Sequence, residues 1–149
     1  MKQKEESIPS SSQNHPVHNT GSPFTVWIID DHRNFSAALS NYIEALTEFQ
    51  CTKCFDSAES ALATLHHETV SPDVILLDIE MPGMSGIDAI VPLKQSAPKS
   101  RIYMVTSKDS DRHKQIAKEK GADGYLVKLD ITKEELLEVL AVPIPKLLP

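Results

Sequence analysis

Four short apolar runs in this chain of 149 residues each end in side chains able to do polar chemistry. Thr25-Val26-Trp27-Ile28-Ile29 leads into Asp30-Asp31, and Val74-Ile75-Leu76-Leu77 into Asp78. Arg101-Ile102-Tyr103-Met104-Val105 leads into Thr106-Ser107, and Gly124-Tyr125-Leu126-Val127 into Lys128. If these runs are strands of one parallel sheet, their carboxyl ends share a cleft, since open α/β sheets bind ligands there, at a topological switch point. That cleft would hold three carboxylates, a hydroxyl and an ammonium group. Three carboxylates at close range disfavour one another's ionised forms unless a cation sits among them. A donor set of hard oxygens, without Cys or His, selects Mg²⁺ or a similar ion, which keeps waters and favours phosphate oxygens as further ligands. Thr106 as hydrogen-bond donor and Lys128 as point charge would complete a phosphoryl site around one central carboxylate.

The elements that must position these residues are legible in the hydrophobic pattern. Uninterrupted apolar strands of four to six residues are what a sheet buried on both faces requires. Gln50 to Phe55 is a fifth, more polar run, expected at or near a sheet edge. Between the first two strands, Phe35, Leu39, Tyr42, Ile43 and Leu46 recur at helical spacing. Asp56 or Ser57 can cap a second helix over Ala58 to His67. Ile87, Ile90, Val91 and Lys94 mark a third, in which Pro92 removes a backbone donor and should kink the helix. Asp109 to Lys120 reads as a fourth, stopped by Gly121. A fifth opens at Thr132, with Glu135 three residues on as a capping box, and closes at Pro143. The order β-α repeated five times predicts a three-layer α/β sandwich, (βα)5, around a central five-stranded parallel sheet.

Composition narrows the function classes. The chain is 40% hydrophobic and 24% charged, enough for one real core, and its length suits one domain. A net charge of −6 argues against direct nucleic-acid binding. No apolar run approaches the ~18 residues of a membrane helix, and no signal-peptide core follows Lys2 and Lys4. Two cysteines make no disulfide framework, and a cytoplasmic protein is expected. Residues 1–23 hold only Met1, Ile8 and Val17 as hydrophobics and read as a disordered polar tail in which His15 and His18 are incidental. The folded domain is expected over 24–142, followed by a short C-terminal tail, 143–149.

Four motifs, in order, carry a resemblance. They are Asp30-Asp31, the run Leu76-Leu77-Asp78-Ile79-Glu80-Met81-Pro82-Gly83-Met84-Ser85-Gly86, the step Val105-Thr106-Ser107, and Gly121-Ala122-Asp123-Gly124-Tyr125-Leu126-Val127-Lys128. With them, residues 24–142 resemble the receiver domain of two-component response regulators, the flavodoxin-like fold shared with the bacterial chemotaxis response protein. The resemblance implies that Asp78 accepts a phosphoryl group from a sensor histidine kinase or phosphotransfer protein. It implies that Asp30, Asp31, Asp78 and the Glu80 backbone carbonyl hold Mg²⁺, and that Thr106 and Lys128 contact the phosphoryl oxygens. It further implies a signalling domain rather than an enzyme, with Tyr125 as an aromatic switch coupled to Thr106 and with Glu80 and Lys108 paired at the cleft mouth. A homodimer or output partner would then form, on phosphorylation, on the fourth helix, fifth strand and fifth helix, where Lys114, Lys118 and Lys120 face Glu134, Glu135 and Glu138.

The chain departs from that family at Leu129, where most receivers place proline after the lysine with a cis bond; Lys128-Leu129 is left open as cis or trans. This pattern resembles the subfamily whose members usually carry a helix-turn-helix output domain. With the sequence ending at Pro149, it suits a stand-alone receiver or the receiver half of a DNA-binding regulator. A Mg-dependent aspartate-nucleophile phosphatase of the haloacid dehalogenase type would need a second aspartate at position 80, which is Glu80. An FMN carrier would need a Ser/Thr/Gly-rich loop after the first strand, in place of Asp30-Asp31-His32-Arg33. A degenerate receiver used only for interaction would have lost one of the five strand-end residues. His32, on the loop opening the first helix, is expected to be exposed, and Gly83 and Gly86 to be turn residues without chemistry. Cys51-Thr52-Lys53-Cys54 spells C-x-x-C, which invites a redox or zinc reading, but strand alternation sends residues three apart to opposite faces, so the two sulfurs are expected to diverge. With no second Cys pair to finish a zinc site, both are read as incidental, semi-buried cysteines.

Overall fold

The computed structural model describes residues 22–132 together with Glu134 and Glu138. Residues 1–21, with His15 and His18, lie outside the described residues. So do nearly all residues of the expected fifth helix, Glu135 included, and of the expected C-terminal tail. Among the described residues the order is β1 (Phe24–Ile29), α1 (Arg33–Glu44), β2 (Phe49–Phe55), α2 (Ala58–His67), β3 (Val74–Leu77), α3 (Gly86–Ser96), β4 (Arg101–Thr106), α4 (Asp111–Lys120) and β5 (Gly124–Val127). A 3₁₀ turn, Lys128–Asp130, follows β5 directly. The five strands form one parallel sheet in the order β2-β1-β3-β4-β5, which puts the polar strand β2 at an edge.

β1, β3 and β4 bury both faces because each carries apolar residues at successive positions, while the edge strands β2 and β5 are only partly buried. Val26 and Ile28 of β1 pack with Leu39 and Ile43 of α1, while Trp27 and Ile29 pack with Ala58, Ala61 and Leu65 of α2 and Ile90 and Leu93 of α3. Helices therefore cover both faces, and the crossovers from β1 run to opposite sides. This places the switch point between β1 and β3, where Asp30 and Asp78 emerge side by side.

Helix starts follow side-chain capping. Ser57, Ser85 and Ser110 each accept a hydrogen bond from the backbone N–H three residues on, at 3.1, 3.1 and 3.2 Å. The fourth helix accordingly begins after Ser110, two residues later than expected, because the serine hydroxyl supplies the cap and Asp109 stays outside. α3 continues through Pro92, and α4 ends on Gly121 at φ +113°, a left-handed terminus. No peptide bond among the described residues is cis, so Lys128-Leu129 is trans.

One expectation fails on β2. Val26 pairs with Cys51 but Trp27 pairs with Lys53, so Thr52 is an extra residue, a β-bulge. The slip of one residue exchanges the faces of everything after it. Phe55 thereby stacks on Trp27 at 4.9 Å, and Cys54, paired with Ile28, points to the same α1 side as Cys51, paired with Val26. The sulfurs do not diverge; they lie 3.8 Å apart.

Candidate functional site

The carboxyl ends of β1, β3 and β5 bring Asp30, Asp31, Asp78 and Lys128 together. Asp30 and Asp78 are both 3% exposed, so their charges depend on one another and on what faces them. Asp30 Oδ1 accepts from the His32 backbone N–H at 2.8 Å, which ties the carboxylate to the turn that opens α1. Its Oδ2 lies 2.7 Å from Lys128 Nζ. Asp78 Oδ1 accepts from the Ile79 N–H at 2.8 Å, and Oδ2 lies 3.6 Å from the same lysine nitrogen. Lys128 also sits over the Phe35 ring, 4.4 Å from its centroid, so the ammonium is held between an aromatic face and two carboxylates.

His32, a tempting ligand beside the acidic pair but expected to be an exposed loop residue, is exposed and also reaches the cluster. Its ring is 65% exposed, as expected of a loop, yet Nδ1 reaches Asp30 at 3.2 Å, Asp31 at 3.4 Å and Asp78 at 3.9 Å. Adjacency to the Asp-Asp pair was the one available signal. Ligand atoms of Asp30, Asp31, His32 and Asp78 all fall within 4.8 Å of one another.

Electrostatics follow from this crowding. Burial, then the neighbouring Asp30 carboxylate, push the Asp78 carboxyl from 3.8 up to about 6, against the opposing pull of Lys128, the Ile79 N–H and His32. Asp31 Oδ1 is buried and receives no hydrogen bond. An orphaned carboxylate oxygen beside two buried carboxylates is a donor set suited to a hard divalent cation, and a Mg²⁺ ion fits these residues.

Thr106 ends β4 fully buried, and its Oγ1 accepts from the Lys108 N–H at 3.3 Å. The Tyr125 hydroxyl donates to the Lys108 carbonyl at 2.6 Å. Lys108 thus links the two by its own backbone, while its Nζ lies 3.4 Å from Glu80 Oε2 between two exposed side chains. Lys114, on the exposed face of α4, lies 2.9 Å from Asp109 and over the Tyr125 ring at 5.7 Å.

Of the two glycines expected as turn residues, Gly83 lies in the loop after β3, whereas Gly86 is the first residue of α3, behind the Ser85 cap. Gly83 adopts φ +78°, where a Cβ is strained. A Cβ on Gly86 would collide with the Asp78 carbonyl oxygen, so glycine is what lets α3 start against the strand end that carries Asp78.

Known proteins share this chain's sequence pattern and fold. The profile of the response regulator receiver domain matches residues 26–141. The nitrate/nitrite response regulator protein NarL of Escherichia coli is 30% identical over 118 residues, which cover 79% of this chain and 53% of that protein. The response regulator protein VraR of Staphylococcus aureus is 28% identical over 109 residues, 73% of this chain and 51% of that one. The chain therefore spans about half the length of these curated relatives. The solved signal receiver domain of the response regulator NarL from Mycobacterium tuberculosis superposes with a TM-score of 0.71 at 25% identity, over 79% of this chain and 93% of that one. The matched segment takes in β1 from Val26 on, β2 to β5 and all of the carboxylate cleft, and by that match the chain belongs to the response regulator receiver domains, with relatives of the NarL type.

Proposed function

We propose that this receiver takes a phosphoryl group onto Asp78 from the phosphohistidine of a sensor histidine kinase or phosphotransfer protein. The observation that carries the reading is the Asp78 carboxylate itself. It is buried at the end of β3, with one oxygen fixed by the Ile79 N–H and the other facing Lys128. A carboxylate oxygen of Asp78 attacks phosphorus, the bond from phosphorus to the donor imidazole nitrogen breaks, and an acyl phosphate forms as the imidazole leaves with a proton from solvent. Lys128, already 3.6 Å from Asp78, offers a positive charge to the incoming phosphoryl oxygens, and the Thr106 hydroxyl a hydrogen bond. Asp30, Asp31, Asp78 and the Glu80 backbone carbonyl are the groups that would hold Mg²⁺. When bound, that ion neutralises the repulsion between carboxylates and phosphate. Glu80 and Lys108, paired at the mouth, stand where they screen the acyl phosphate from water.

The product would be read through Lys108. Drawing Thr106 toward the new oxygens pulls on the Lys108 N–H, and its carbonyl is the acceptor of the Tyr125 hydroxyl, so the ring is released to repack. The output surface is α4, β5 and the fifth helix, where a second copy or an output partner binds more tightly after phosphorylation. The domain acts in cytoplasmic signalling rather than as an enzyme with its own substrate. No helix among the described residues is long and apolar enough to cross a membrane.

Incubation with a small phosphodonor and Mg²⁺, followed by intact-mass measurement, tests the reading. One phosphoryl group should add to the wild type and none to Asp78→Asn; full modification of Asp78→Asn would overturn the assignment.

A further inference from the structure

Cys51 and Cys54 lie on β2, and although Cys54 lines a cavity that also reaches Asp30, nothing in phosphoryl transfer uses either thiol. The bulge at Thr52 turns both thiols to one side of the strand with Sγ–Sγ 3.8 Å. That separation has a chemical meaning. Two sulfurs bound to one tetrahedral ion at a Zn–S distance of about 2.3 Å lie about 3.8 Å from each other. A disulfide asks for a different geometry, with sulfurs about 2.05 Å apart and Cα atoms within about 7 Å. The two sulfurs stand well beyond that bond length, as free thiols. Cys51 is partly buried against the core on the α1 side and Cys54 is exposed, on an edge strand, so the pair is open to solvent at Cys54.

We propose that Cys51 and Cys54 form a two-thiolate site for a thiophilic divalent ion with a filled d shell, of the Zn²⁺ and Cd²⁺ class. The two remaining coordination positions are open to water. Uptake exchanges two S–H bonds for two metal–sulfur bonds and releases the thiol protons to solvent, with no change of oxidation state. Soft sulfur and hard carboxylate oxygens sort the ions, leaving Mg²⁺ to the cleft.

Cd²⁺ titration of the reduced full chain, with excess Mg²⁺ present to occupy the carboxylates, tests this. The readout is the ultraviolet sulfur-to-cadmium charge-transfer band, which carboxylates cannot produce. The band should saturate at one Cd²⁺ per chain, be lost as a stoichiometric signal in Cys51→Ser and in Cys54→Ser, and persist in Asp78→Asn. Alkylating both thiols of the wild type should abolish it as well, which keeps the test sound if a serine variant folds poorly. Absence of a band at equimolar Cd²⁺, or an unchanged titration in Cys54→Ser, would overturn the proposal.

Discussion

Replacing Asp78 by asparagine should make the metal-free protein more stable at neutral pH, although it removes the proposed phosphoacceptor. The folded state holds the Asp78 proton up to about pH 6, while the free carboxyl loses it near 3.8. Between these values the folded state binds more protons than the unfolded one, so stability falls as pH rises through that window and is level above it. At about 1.36 kcal/mol per pKa unit, the change amounts to roughly 3 kcal/mol. Water at the cleft mouth screens part of it, which leaves about 1–3 kcal/mol. Asparagine is neutral at every pH and of the same size. Its side-chain oxygen can still accept from the Ile79 N–H, and Lys128 keeps Asp30 at 2.7 Å. Urea unfolding of both proteins in chelator, from pH 4 to pH 8, should show curves nearly coincident near pH 4 and separated by that amount in favour of the variant above pH 7. Added Mg²⁺ should stabilise the wild type more than Asp78→Asn. A variant less stable than the wild type at pH 8, or a difference independent of pH, would refute the account of Asp78 as a carboxylate whose ionisation the fold opposes.

Lys128→Ala should cost on the order of 3 kcal/mol at pH 8 in chelator, since it leaves Asp30 and Asp78 buried without their shared cation, and the loss should shrink at pH 5 as Asp78 takes up a proton. Gly86→Ala should cost about 3 kcal/mol or more by urea unfolding, because the new methyl group meets backbone rather than a flexible side chain. Glu80→Ala and Lys108→Ala should each change stability by only about 0–1 kcal/mol, yet alter the lifetime of the acyl phosphate non-additively when combined, as read by the decay of the intact-mass signal. Tyr125→Phe removes the 2.6 Å bond to the Lys108 carbonyl, and in sedimentation it should blunt any difference between the protein with and without a phosphoryl mimic.

Much of this molecule could be read from residue order alone, because the decisive signals are local. An apolar run of four residues such as Val74–Leu77 is intelligible only as a strand buried on both faces, and parallel strands deliver their terminal residues to one side of the sheet. Asp30, Asp78, Thr106 and Lys128 could therefore be placed at a common edge, and the polar β2 at the sheet border, without coordinates. What required the tertiary structure is whatever depends on a single residue of register or on a side chain's reach. The bulge at Thr52 is invisible in sequence because no local preference demands it. It appears as the slip in pairing between Val26 and Trp27, and it reverses the facing of Cys54 and Phe55. Spacing placed His32 on a loop, but only the turn capped by Asp30 swings its ring back over three carboxylates. The helix start at Ser110, the closeness of Gly86 to the Asp78 carbonyl, and the Lys108 backbone joining Thr106 to Tyr125 are likewise distances between atoms far apart in the chain or competing for one hydrogen bond. Period and polarity determine which residues share a face; packing alone decides how far each side chain reaches once it is there.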